Sequence, residues 1–241
     1  MAKVQRTFVI SDPFRIGVSQ LRHRADDLDK QLRNKRRSKA SWGVLLIIGA
    51  VVSNLLGWIP WIPLIFTLGI ATVVCFIYAF TYKTSKDIEQ VREMAQTAQR
   101  WHQDVHPQSP LHGQLDLSCP DQCEPKKTKK SAKKIKKYYR YRPIELKFAL
   151  ADGNLLAFQF ITELKTKANQ EVRRHTEVRG RLKLNPERYV VRDIASRFGN
   201  LSARLLRVDN QHHICFWGKI NSATELEHGI AGIYRAITPT G

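Results

Sequence analysis

The sequence predicts a two-pass α-helical membrane hairpin with cytoplasmic helical extensions, followed by a small α+β C-terminal domain with an antiparallel sheet. Three observations predict it. No Asp, Glu, Lys, Arg or His occurs between Ala40 and Tyr82. Apolar residues at heptad spacing flank that stretch on both sides. After Pro143 the apolar period falls to two, the period of a strand.

A bilayer core needs roughly 20 helical residues, so the uncharged region 40–82 is too long for one span and suits two. The break falls at Trp58-Ile59-Pro60-Trp61-Ile62-Pro63, because each proline lacks an N–H and restricts the residue before it. The expected spans are residues 41–58 and 62–82. Trp58 and Trp61 suit one interface, and Trp42, Tyr78 and Tyr82 the other. Lys35, Arg36, Arg37 and Lys39 precede the first span, Lys83 and Lys86 follow the second, and the turn between carries no charge. The positive-inside rule puts both termini in the cytoplasm, and the expected location is a bacterial plasma membrane. Asn54 is the most polar residue of the first span and seeks a partner across a helix interface.

In the N-terminal region 1–39, Val18, Leu21, Ala25, Leu28 and Leu32 recur at spacings of three and four, and Ile88, Val91, Ala95 and Ala98 repeat this in region 83–104. These segments predict an amphipathic helix and a stalk helix of coiled-coil character. In layout, roughly the first hundred residues resemble bacterial two-helix membrane effectors of the SLATT kind: helix, two spans, helix. No function is carried over from that likeness.

Region 105–241 reads as a basic cytoplasmic domain. The run 126–137 holds Lys126, Lys127, Lys129, Lys130, Lys133, Lys134, Lys136 and Lys137. Such a segment buries no core and reads as a disordered loop. Its lysines suit anionic lipid headgroups, with nucleic acid as the weaker alternative. Beyond it, Ile144, Leu146, Phe148 and Leu150 alternate with polar residues, Asp152-Gly153 supplies a turn, and Leu156, Phe158, Phe160 and Leu164 form a return strand. A third strand points Val178, Leu182 and Leu184 inward and Arg179, Arg181 and Lys183 outward, giving the sheet a wet, cationic face. Residues 186–199 suit a short helix or, alternatively, a strand at 189–191. Residues 201–208 and 213–220 suit a hairpin, and 224–237 a final amphipathic helix. About six strands are expected in all.

The chain has 241 residues and a formal net charge of +19, with 40 Lys and Arg against 21 Asp and Glu. That balance calls for an anionic partner. The four cysteines are too sparse for a secreted disulfide framework. Cys119, Cys123, His213 and Cys215 have poor spacing for a zinc site. Glu225, Glu227 and His228 share a helix without further support for acid–base chemistry. No phosphate loop or nucleophile motif is present, so no catalytic residue, cofactor or metal is expected. The expected function is a membrane-anchored interaction or scaffold protein, binding anionic lipid and a protein partner. The alternatives are an oligomeric pore-forming effector with a cytoplasmic sensor domain, motivated by Asn54 and the heptads, and a membrane tether for nucleic acid.

Overall fold

The computed structural model describes residues 6–55, 85–106, 108–118, 123–131, 134–167, 170–191, 194–208 and 211–239. They fall into two compact units, one formed by Met1–Ala25 with Asp87–Gly241 and the other by Asp26–Lys86.

The first unit is built on strands. In chain order these are β1 (Thr7–Pro13), β2 (Pro110–Asp116), β3 (Lys127–Ser131), β4 (Lys134–Tyr141), β5 (Ile144–Ala149), β6 (Leu155–Lys167), β7 (Gln170–Lys183), β8 (Tyr189–Val190), β9 (Ala195–Phe198), β10 (Leu201–Val208), β11 (Gln211–Lys219) and β12 (Thr238–Pro239). Ten of them form one antiparallel sheet, eight in the order β1-β2-β5-β6-β7-β11-β10-β9 with β4 and β3 branching from β6, while β8 and β12 pair separately. The long β6 serves two neighbours on one edge: Leu155–Gln159 pair with β5, and Thr162–Lys167 pair with β4, which carries β3 beyond it.

Strand alternation divides the sheet into two faces. On the core side Ile10, Leu111, Leu115, Ile144, Leu146, Phe148, Leu156, Phe158, Phe160, Val178, Leu182, Leu201, Ile214 and Phe216 are all buried. The row Phe158–Gly180–Phe216 explains the one glycine inside β7: a Cβ there would overlap the Phe216 ring. The turn before β6 needs Gly153 for another reason, since its φ of 84° lies in the left-handed region.

Three α-helices are described: α1 (Phe14–Leu55), α2 (Lys86–Arg100) and α3 (Ala223–Ala236). The start of α1 sits on the core face, with Phe14 edge-on to Phe148 at 5.0 Å and Gly17 against Leu111. From α2, Asp87 reaches Tyr141 and Arg174, and Trp101 just beyond its end packs on Phe148 and Phe158. Arg100 pairs with Glu227 of α3 at 2.6 Å. The heptad positions Val18, Leu21, Ala25, Ile88, Val91, Ala95 and Ala98 are buried as part of the sheet's own unit. In the second unit, the described residues are mainly the continuation of α1, where Arg33 pairs with Asp29 one turn back at 3.1 Å.

The two-pass helical hairpin is corrected by this architecture. Among the described residues no helix is long and apolar enough to cross a membrane. The second expected span, 62–82, and Trp58, Trp61, Tyr78 and Tyr82 lie outside the described residues, as does the side chain of Trp42. The described chain is dominated by the ten-stranded sheet. The membrane-anchored scaffold, the pore-forming effector, the membrane tether and the multi-pass plasma-membrane location all depended on that hairpin and fall with it.

Two smaller expectations also change. The Lys126–Lys137 run is a β-hairpin rather than a disordered loop, because β4 finds its main-chain partners along the second half of β6. Within 186–199 the described residues hold the two-residue β8, in agreement with the alternative strand at 189–191, and then β9, in place of the short helix.

Candidate functional site

The face of the sheet opposite the helices carries the charge. Directly opposed residues on antiparallel strands share a face, so the register assigns its rows. One row runs Gln114–Glu145–Gln159–Arg179–Trp217–Ser202–Arg197 across β2, β5, β6, β7, β11, β10 and β9. The next runs His112–Lys147–Ala157–Arg181–Cys215–Arg204. Further along β7 the row Lys127–Tyr138–Lys165–Arg173 crosses β3, β4, β6 and β7.

Trp217 is 42% exposed in the middle of the first row. With an apolar body and a polar tip, tryptophan is a residue type enriched at binding interfaces. Arg179 opposite it is steadied by Glu177, two residues back on the same face, with Nε to Oε1 at 2.9 Å, and that carboxylate holds the guanidinium above its ordinary pKa. Arg181 and Arg204 are exposed and Lys183 is half-buried.

Around the β3–β4 hairpin the same face folds into a cavity of about 510 Å³ lined by Lys126, Lys127, Tyr138, Arg140, Lys165 and Arg173, with Glu163 and His175 beside them. The Lys165 ammonium lies 5.6 Å from the Tyr138 ring centroid, a cation–π distance.

The outward expectation for Arg179, Arg181 and Lys183 holds, as does the inward one for Val178, Leu182 and Leu184. Of the eight lysines, Lys126, Lys127 and Lys129 are exposed, and Lys136 and Lys137 are half-buried. Lys133 lies outside the described residues, and so do the side chains of Lys130 and Lys134. The hairpin sorts the rest: Lys127, Lys129 and Lys136 share rows with Tyr138 or its face, while Lys137 lies on the side of Tyr139 and Tyr141. Sequence reasoning missed Trp217, Arg204, Lys165 and Arg173. The signal for Trp217 was present, since Ile214, Phe216 and Ile220 alternate with Cys215, Trp217 and Lys219.

The other residues weighed as sites have structural work. Cys123 packs on the Tyr139, Tyr141 and Leu164 cluster and lies 3.1 Å from the Ser118 hydroxyl. His213 and Cys215 sit in β11 opposite Lys183 and Arg181, and Cys119 is outside the described residues. Among the described residues no group of three His, Cys, Asp or Glu could hold a metal. Ser222 caps α3 by accepting from the Glu225 N–H, and the Glu225 carboxylate accepts from the Asn221 N–H and the Asn200 side chain, bonds that hold its pKa below the usual carboxylate value. This is a capping arrangement, and Glu227 is engaged by Arg100.

No protein-family model matches the chain, and no curated protein or solved structure shows significant similarity to it.

Proposed function

We propose that the protein is a non-enzymatic binding module whose open sheet face holds single-stranded nucleic acid. The observation that carries this reading is the exposed Trp217 ring set opposite Arg179, with Arg181 and Arg204 paired in register with Cys215 in the next row. Arginine offers a planar fork that matches phosphate oxygens two at a time. An exposed indole offers a stacking platform to an unpaired base, which a duplex keeps hidden within its own stack. The net charge of +19 adds long-range attraction for any polyanion, so affinity alone does not distinguish the partner. Discrimination between strand and duplex does.

The test is fluorescence anisotropy of a labelled oligo-dT or oligo-U against a duplex of equal length, titrated with the full chain. The strand is expected to bind more tightly. Trp217→Ala is expected to weaken strand binding about tenfold, as loss of one base stack does. Arg179→Ala and Arg181→Ala are each expected to lower the salt slope by about 0.7. Equal binding of strand and duplex, unmoved by Trp217→Ala, would overturn the reading. Failure of any oligonucleotide to bind would overturn it as well.

A further inference from the structure

The cavity beside the Lys-rich hairpin has features that strand binding at Trp217 does not explain. Of the cations lining it, Arg140 has a carboxylate partner, Glu163 at 3.6 Å. Lys126, Lys127, Lys165 and Arg173 have no carboxylate within ion-pair distance among the described residues. Lys127, Lys165 and Arg173 are brought into one row by pairing across β3, β4, β6 and β7, with Tyr138 between them. Like charges held side by side repel, and a concave site strengthens the field they share. The fold therefore holds four uncompensated positive charges around one hollow, an arrangement that an anion would relieve.

The geometry points to a nucleoside polyphosphate as that anion. A backbone diester brings one negative charge, whereas a nucleoside di- or triphosphate brings roughly three to four, which matches Lys126, Lys127, Lys165 and Arg173 in number. The volume of about 510 Å³ is in the range of small-molecule sites, roughly 300–1,000 Å³. The phosphates lie against Lys127, Lys165 and Arg173. The nucleoside lies against the Tyr138 ring, and the Glu163 carboxylate accepts from its hydroxyl or amino groups. Recognition is by side chains, since no glycine-rich phosphate loop exists in the chain. This site lies further along the same face than the Trp217 row, and its occupant does not depend on strand binding there.

Isothermal titration calorimetry of the full chain with ATP, with adenosine and with inorganic tripolyphosphate tests it. ATP is expected to bind and adenosine to bind far more weakly. Arg173→Ala and Lys165→Ala are each expected to weaken ATP about tenfold, the loss of one charge-assisted hydrogen bond. Tyr138→Ala is expected to weaken ATP while leaving tripolyphosphate unchanged, and Tyr138→Phe, which keeps the ring, to retain ATP affinity. Trp217→Ala is expected to leave ATP binding intact, which separates failure here from failure of the strand-binding reading. Absence of ATP binding at about 1 mM would overturn the assignment, and so would ATP affinity indifferent to both Arg173→Ala and Lys165→Ala. ATP affinity that survives Tyr138→Ala would overturn its nucleoside half.

Discussion

Arg174 and Arg179 lie on the same strand and each holds a carboxylate, Asp87 at 2.6 Å and Glu177 at 2.9 Å. They point to opposite faces of the sheet, and their surroundings differ more than their distances do. The Asp87 side chain is 1% exposed and Arg174 12%, and Asp87 also accepts from the Tyr141 hydroxyl at 2.8 Å. That pair ties α2 to β4 and β7, where every polar atom must find a partner or raise the energy of the fold. The Arg179–Glu177 pair stands in water, where attraction between the charges is largely screened. One face of β7 thus uses an arginine to hold the core together, and the other keeps arginines available to something outside.

Breaking the inner pair is the largest test of this contrast. Asp87→Ala is expected to cost about 3 kcal/mol, the low end for a broken buried pair, because it removes the acceptor of the Tyr141 hydroxyl and leaves the part-buried Arg174 guanidinium with Glu171 at 3.2 Å. Urea denaturation measures it. Asp87→Asn is expected to cost less, since the amide oxygen still accepts and carries no charge into the core. Burial pushes the Asp87 carboxyl above its ordinary pKa, outweighing the opposing pull of the Arg174 guanidinium and the Tyr141 hydroxyl. An acid raised in the folded state contributes stability that is full below its unfolded value and is lost as pH rises through its folded one. The Asp87 contribution is therefore expected to decline as pH rises from the ordinary carboxylate range, read as the difference in stability between the parent and Asp87→Asn across that range. A variant Asp87→Ala as stable as the parent would mean that the inner pair holds nothing.

A second test uses adjacent residues of β7. Gly180 faces the core and Arg179 the open side. Gly180→Ala places a Cβ into the Phe216 ring, and overpacking of this kind costs about 1–3 kcal/mol. Arg179→Ala removes a side chain from water and is expected to leave the denaturation midpoint where it was. If Gly180→Ala were silent and Arg179→Ala destabilising, the two faces would have been assigned the wrong way round.

Alternation carried most of what was legible in the sequence. The Asp152-Gly153 turn, the pairing of 201–208 with the following strand, the last helix and the two sides of β7 all follow from local period and turn chemistry. What failed was decided at a distance. β1 is short and pairs in register with β2, so that Ile10 meets Gly113 far along the chain. The lysine hairpin has poor strand propensity and exists because the second half of β6 offers it an edge. The apolar stretch 40–82 predicts two spans by its length, whereas among the described residues no helix is long and apolar enough to cross a membrane. The candidate site was half visible. Arg179, Arg181 and Lys183 were assigned outward from period alone, but a row that crosses seven strands cannot be assembled without the register, and neither Trp217 nor Lys165 and Arg173 were assigned to it.

The smallest expected effect probes the outer pair alone. Glu177 sits on the open face, paired with Arg179 and opposite Lys219 in register. It is a negative charge on the surface proposed to meet phosphates, so Glu177→Gln removes a repulsion and frees the Arg179 fork. The amide keeps the shape of the half-buried side chain, and because its Arg179 partner stands exposed in water the fold is nearly indifferent to the charge. Strand affinity is expected to rise about twofold, with a steeper dependence on salt and an unchanged denaturation midpoint. Weaker binding after this change would mean that Glu177 positions Arg179 for its partner rather than competing with it. A lowered midpoint would mean that the outer pair, like the inner one, belongs to the framework of the fold.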